Sequence, residues 1–273
     1  MKLYSIASGS SGNCICVGHG DTHVLIDVGI SKKRVEEGLT DKDINPKDIG
    51  GILITHEHSD HISGLGVLSR KYNIPIYGTQ ETMDYVRFQC SNISGGKGSL
   101  GVIDPELFHE IEPDKSFDIG QLQINPFNIH HDAVHPVGYR IEADDKKVAV
   151  ATDMGHFDDY IIGNLLDLDA ILIEANHDIR MLETGPYPYP LKRRILGDKG
   201  HLCNEMCGRL LDKILNDKMK MIALGHLSKE NNYPYLAYES VRSEINLSDS
   251  PFKADDFNME VAKRECPSSY FEF

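Results

Sequence analysis

The stretch ILITHEHSDHISGL at residues 52–65 constrains this chain more than any other. Its opening aliphatic residues read as a buried strand, and the positions behind them hold three histidines and two carboxylates. On a strand, residues i and i+2 point the same way, so His56 and His58 can converge on one point. Asp60 and His61 sit on the loop that follows and can turn toward a second point nearby. Imidazole and carboxylate together suit zinc, manganese or iron. A lone His-x-His would say little. The full His-x-His-x-Asp-His string behind an apolar strand says much more.

Strand and helix signals alternate along the rest of the chain, without internal repeats or low-complexity segments. MKLYSIAS and CICVGHGDTHVLIDVG read as strands that turn through the loop SGSSGN. Residues 50–55, 119–129, 137–142 and 147–153, together with IPIYG, AILIEAN and MKMIALGH, also read as strands. Helices are predicted near 31–39, 62–72, 80–88, 158–166, 204–215 and 234–246, and a mobile loop at 91–101. In the helix at 204–215 the apolar residues recur at helical spacing, which makes Cys203 and Cys207 a poor metal clip. Many strands with helices between and outside them predict a layered αββα arrangement, in a single domain over 1–273.

Composition narrows the class. The chain has 273 residues, enough to bury a large core, with 40% hydrophobic and 26% charged residues. No apolar run approaches the roughly 20 residues of a membrane span, and no signal-like segment opens the sequence. Six cysteines are scattered without the spacing of a disulfide framework, so a reducing cytoplasm is the expected home. The net charge of −14 argues against tight coating of nucleic acid, which draws on a basic face. It leaves open an active site in which bound cations supply the positive charge.

These features resemble the metallo-β-lactamase-fold superfamily of binuclear metallohydrolases, a four-layer αββα sandwich. That resemblance implies two divalent ions, Zn²⁺ or Mn²⁺ with Fe possible, and further ligands behind three later strands. His131, in IHHDAVHPVGY, fits the third histidine in preference to its neighbour His130. Asp153 ends VAVATD where the superfamily places a bridging carboxylate, and His226 ends MIALGH where it places the last histidine. His56, His58 and His131 would hold one ion and Asp60, His61 and His226 the other, with Asp153 between them. Asp27, ending VLIDVG, would orient a ligand histidine from behind.

Local motifs point to the bacterial YycJ/WalJ branch: SIASGSSGNC, IEANHD, GHLCNE and GHLSKENN. That branch implies a 5′-to-3′ exonuclease on double-stranded DNA, in which a bound water loses its proton between the ions and attacks phosphorus. Ala175 and Cys203 depart from the pattern, standing where serine is expected. By resemblance to ribonuclease Z, Glu174 and His201 would be a catalytic carboxylate–imidazole pair; Asp60 and Asp153 are expected to position the attacking water. The flexible arm of ribonuclease Z and the large insertion of β-CASP nucleases have no counterpart here. The competing enzyme reading is hydrolysis of a small ester, thioester or cyclic phosphodiester. A non-enzymatic one is a regulatory partner of a two-component signalling system, although no stable protein partner can be deduced.

Substrate contacts are less marked. The hydroxyls and backbone of SGSSGN make Ser10, Ser11 and Asn13 candidates for holding a phosphate. In ETGPYPYPLKRRI, read as a rigid solvated loop, Lys192, Arg193 and Arg194 are candidates for the DNA backbone. His177 is a further candidate contact. His19, His23, His109 and His156 read as surface or satisfied polar residues.

Overall fold

The computed structural model describes residues 1–91 and 100–273, so the loop predicted at 91–101 falls largely outside the described residues. Strands β1 (Lys2–Ala7), β2 (Cys14–His19), β3 (Thr22–Ile26), β4 (Ile49–Leu53), β5 (Ile76–Thr79) and β6 (Phe108–Ile111) build the first sheet. The second contains β7 (Phe117–Ile119), β8 (Leu122–Asn128), β9 (Val137–Ala143), β10 (Lys146–Ala151), β11 (Ala170–Glu174), β12 (Met221–Gly225) and β13 (Asn258–Val261). A last strand, β14 (Ser268–Glu272), returns to the first sheet beside β1. Each sheet is antiparallel on one side and parallel on the other: β3 to β6 run parallel in the first, β10 to β13 in the second.

Alternation along the strands splits the core into three layers. Leu3, Val17, Val24, Ile26 and Leu53 face Ile124, Tyr139, Ile141, Val150 and Leu172 between the sheets. Their neighbours Tyr4, Cys16, Leu25, Ile52 and Ile54 point the other way, as a period of two requires. They pack against α1 (Lys32–Thr40), α3 (Leu65–Tyr72) and α4 (Gln80–Ser91), with the one-turn α2 (Ser59–Ile62) just before α3. The outer face of the second sheet is covered by α5 (Asp159–Asn164), α8 (Asn204–Ile214) and α9 (Pro234–Leu247). The short α6 (Ile179–Thr184) and α7 (Tyr189–Ile195) lie between β11 and α8. Each fully buried Leu or Ile contributes about 1.5–3 kcal/mol, so the inter-sheet layer is a major source of cohesion. Helix, sheet, sheet, helix is the order of layers.

Two contacts tie this core to the loops at the strand ends. The buried Tyr139 hydroxyl donates to the Ile54 carbonyl at 2.7 Å, and the Val137 N–H donates to the Thr55 carbonyl at 3.0 Å. Both fix the end of β4, where the histidine run begins.

Several local expectations change. The helix near 62–72 is two pieces, because Gly64 passes so close to Ile30 that a Cβ there would lie 2.0 Å from its carbonyl oxygen. The segment 185–195 is not a loop throughout: Pro188 and Pro190 start α7, where a missing N–H and a preset φ suit the first turn. The strand expected over 119–129 begins at Leu122, since Gly120 (φ 56) makes a hairpin turn with β7. β6, β13 and β14 carry no strong alternation and escape sequence reading. Cys203 caps α8, its sulfur accepting from the Met206 N–H at 3.4 Å, and Cys207 is buried in the core face. Among the described residues no helix is long and apolar enough to cross a membrane.

Candidate metal centre

Five strands of the two parallel regions, β3, β4, β10, β11 and β12, end on one side of the sandwich. Open α/β sheets bind ligands beyond the carboxyl ends of such strands. Asp27, Asp153 and His226, just past β3, β10 and β12, have left-handed backbones with φ 61°, 61° and 54°. Side chains with a Cβ avoid this region, and it persists where neighbours over-determine it. Here Asp27 accepts from the Thr55 N–H at 2.9 Å and the Thr55 hydroxyl at 2.8 Å. The His226 N–H donates to Ser8 Oγ at 2.8 Å.

The side chains gather in two sets. His56 Nε2 and His131 Nε2 lie 3.0 and 3.2 Å from His58 Nδ1. Opposite, His61 Nε2 and His226 Nε2 lie 3.5 and 3.4 Å from Asp60 Oδ2. Asp153 stands between them, with Oδ2 3.4 Å from His61 Nε2 and Oδ1 3.5 and 3.8 Å from His226 Nε2 and His131 Nε2. Each set satisfies the proximity that one metal ion needs.

What lies behind the rings decides which nitrogens face inward. His61 Nδ1 donates to Asp27 Oδ2 at 2.7 Å, and His226 Nδ1 to Glu174 Oε1 at 2.9 Å. His131 Nδ1 donates to the Gly200 carbonyl at 3.1 Å. Thr55 spends its proton on Asp27, so its oxygen can accept from His56 Nδ1 at 3.0 Å. A carbonyl or carboxylate only accepts, so Nδ1 of His56, His61, His131 and His226 carries the proton and their Nε2 turns a lone pair inward, while His58 presents its Nδ1. Lone pairs aimed at one another repel unless a cation sits among them. Asp153 Oδ2 is buried with no hydrogen-bond donor among the described residues, a costly state that a cation would relieve. The donor set fits divalent ions.

Electrostatics shows the same demand for positive charge, which protons on these rings meet when a metal ion does not. Burial penalises charge on His61, but Asp153, Asp27 and Asp60 more than offset it and raise the imidazole well above its usual value. Burial also opposes the charged form of His226, yet Asp153, Asp60 and Glu174 bring it to about 10. Glu174 is held far below the usual carboxylate range against its burial, by His201 and His226. A largely buried cluster with this many anions draws in positive charge. Glu174 Oε1 also accepts from His201 Nδ1 at 2.8 Å, and its Oε2 from the N–H groups of Met154 and Leu202 at 2.8 and 3.2 Å.

Close backbone approach makes one glycine indispensable. A Cβ on Gly29 would lie 1.6 Å from the Asp60 carbonyl oxygen. Gly29→Ala must push Asp60 out of its set. We expect about 1–3 kcal/mol of lost stability, as for overpacking, together with sub-stoichiometric metal. Thermal melting and elemental analysis check both, and a full metal complement in the variant would show that the contact relaxes harmlessly.

A family model described as a β-lactamase superfamily domain matches residues 22–222 of this chain. The chain belongs to the β-lactamase superfamily. Its superfamily relatives include the exodeoxyribonuclease YycJ of Bacillus anthracis, 39% identical over 236 residues, or 86% of each chain. Another is the exodeoxyribonuclease WalJ of Streptococcus pneumoniae, 40% identical over 249 residues, covering 91% of this chain and 90% of that one. Among solved structures, the metallo-β-lactamase-fold protein YhfI of Bacillus subtilis superposes with a TM-score of 0.69 at 15% identity, over 98% of both chains, and shares the fold. The protein is thus a YycJ/WalJ-like member of the superfamily, with the fold of a metal-dependent hydrolase.

Within this superfamily member the other expected residues scatter. His130 lies outside both sets: it contacts Asp158 at 3.0 Å and stacks on His156 with ring centroids 4.0 Å apart. Asn13 is buried, with Oδ1 accepting from the Gly9 N–H at 2.9 Å and Nδ2 3.2 Å from His61 Nε2. Ser10 and Ser11 are exposed and do not reach the rings. His177 is buried, its Nδ1 3.3 Å from Asn176 Oδ1. Lys192 is occupied by the carbonyls of Glu183 and Gly185 at 2.7 and 2.8 Å. Arg194 clamps Asp132, with Nη2 2.9 Å from Oδ1. Two of the three basic residues of α7 are therefore internally engaged, and Arg193 is exposed.

Sequence reading missed Thr55, the Gly200 carbonyl and Asn176. Asn176 Nδ2 donates to the His226 carbonyl at 2.9 Å. Thr55 had a signal, a hydroxyl directly before the histidine run. Gly200 acts through its backbone carbonyl and had none.

Proposed function

We propose that this protein is a binuclear metal-dependent exodeoxyribonuclease that degrades double-stranded DNA from the 5′ end. The observation that carries it is the pair of ligand sets about Asp153. The nuclease relatives, similar over most of their length, support DNA as the substrate. In this reading His56, His58 and His131 hold one ion, Asp60, His61 and His226 the other, and Asp153 both. Zn²⁺ or Mn²⁺ suits such nitrogen and oxygen donors. When bound, two such ions neutralise charge on the phosphate and make water a competent nucleophile near neutral pH.

The remaining steps fall to the chain's own residues. Asp60, the least buried acid of the centre, accepts a proton from the attacking water and keeps its lone pair toward phosphorus. Asp27 and Gly200 hold His61 and His131 in register, while Asn176 and Ser8 hold the His226 turn. Glu174 anchors His201, which delivers a proton to the leaving oxygen.

The test is a product ladder. Purified protein with Mn²⁺ or Zn²⁺ is incubated with end-labelled double-stranded DNA, single-stranded DNA and RNA. Stepwise mononucleotide release from the 5′ end of duplex DNA is expected. Internal cuts, a preference for RNA, or no cleavage with both ions bound would reject the reading.

A further inference from the structure

Arg264, like Arg34 and Arg70, is an arginine held by neutral oxygens. Arg87, Arg140, Arg194, Arg209 and Arg242 each pair with a carboxylate. In a chain with 42 acidic and 28 basic residues, such pairing is easy to find. Among the described residues no carboxylate pairs with the Arg264 guanidinium. It reaches only neutral oxygens: Nη1 lies 3.3 and 3.4 Å from Ser10 Oγ and Ser11 Oγ, and Nη2 donates to the Leu227 carbonyl at 2.6 Å. The two serines are exposed and Arg264 is half-buried, so a solute can reach all three.

The loop that carries these hydroxyls is built onto the candidate metal centre. The Ser10 N–H donates to the carbonyl of Leu227, next to His226, at 3.4 Å, and the Asn13 N–H donates to the Asp60 carbonyl at 2.9 Å. A Cβ on Gly9 would lie 2.7 Å from Arg264 Nη1, so the absence of a side chain lets the guanidinium lie against the loop. Beside it opens a cavity of about 470 Å³, whose wall includes Leu227, Tyr233, Val261 and Arg264. That wall is apolar enough to take a nucleoside.

We propose that Arg264, with the hydroxyls of Ser10 and Ser11, receives the terminal phosphate of the strand being degraded. The inference rests on the nuclease reading and deepens it, since it names the feature that makes cutting start at an end. A guanidinium fork with two hydroxyls matches the three free oxygens of a phosphate monoester. Gripping a run of internal phosphates takes a track of cations, and on the α7 side Lys192 and Arg194 are already engaged.

The experiment measures a preference. Full-length, Mn²⁺-loaded protein is given one duplex with 5′-phosphate, 3′-phosphate or hydroxyl ends. Wild type should degrade a phosphorylated end about ten- to hundredfold faster, the range of one charge-assisted contact. The 5′-phosphate should be the favoured end, and a preference for the 3′-phosphate would reject the 5′ polarity of the nuclease reading. Arg264→Ala should bring the ratio close to one, whatever its absolute rate. If thermal melting shows that variant unfolded, Ser10→Ala/Ser11→Ala, which alters only exposed hydroxyls, decides instead and should cut the ratio several-fold. Equal wild-type rates on all ends would overturn the proposal, as would an intact preference in a folded variant. Absence of cleavage of every duplex by wild type would instead reject the nuclease reading beneath it.

Discussion

Asp153→Ala should leave a folded protein that no longer binds two ions tightly and has lost essentially all turnover. Asp153 lies within reach of both sets: its oxygens lie 3.4 Å from His61 Nε2 and 3.5 Å from His226 Nε2 on one side, and 3.8 Å from His131 Nε2 on the other. Removing it withdraws a negative charge and leaves two cations facing each other across a buried gap. Uncompensated buried charge typically costs about 3–5 kcal/mol, enough to expel an ion. The fold should persist, because β10 is held by β9 and β11 along its length and Asp153 lies beyond its end. Elemental analysis after gel filtration should find at most one ion per chain. Asp153→Asn, which keeps the shape and loses the charge, should behave similarly. If Asp153→Ala kept two tightly held ions, the bridging assignment would fall.

The sequence carried the fold class because the alternation that drives it is local. Leu3 and Tyr4, or Ile52 and Leu53, point to opposite layers for reasons readable from a period of two. It carried the metal-type residues because they stand directly behind strands of both sheets, whose ends meet on one side of the sandwich. The short outer strands were illegible. Asn258–Val261 and Ser268–Glu272 become strands because β12 and β1 offer them an edge, not because their own residues demand it. Long-range polar partners were illegible for the same reason. Arg264 lies 254 positions from Ser10, and no local pattern announces that pair. The basic run at 192–194 failed in the opposite way. Its composition suggested phosphate, but the fold supplies Asp132 and two carbonyls close enough to occupy two of its members.

The deepest substitution that should spare metal and fold is His201→Ala. Breaking a phosphodiester expels an alkoxide, a poor leaving group unless a proton reaches it. His201 belongs to neither three-imidazole nor carboxylate–imidazole set, yet its Nδ1 lies 2.8 Å from Glu174 Oε1 and 3.5 Å from Asp153 Oδ1. Burial alone would lower its affinity for a proton, but the Glu174 charge and hydrogen bond raise it. The same Glu174 oxygen holds His226, so one buried carboxylate positions a candidate ligand and a candidate acid together. With Nδ1 committed to Glu174, Nε2 remains to carry the proton that moves. General acid catalysis is typically worth about 10²–10⁴ in rate, and DNA cleavage by His201→Ala should fall by that factor with both ions retained. Hydrolysis of a nitrophenyl phosphodiester, whose leaving group departs without a proton, should be affected far less. Glu174→Gln should hit both substrates, because it loosens His226 as well as His201. Equal slowing of His201→Ala on DNA and on the nitrophenyl diester, with metal content intact, would remove His201 from the acid role and leave it a phosphate contact.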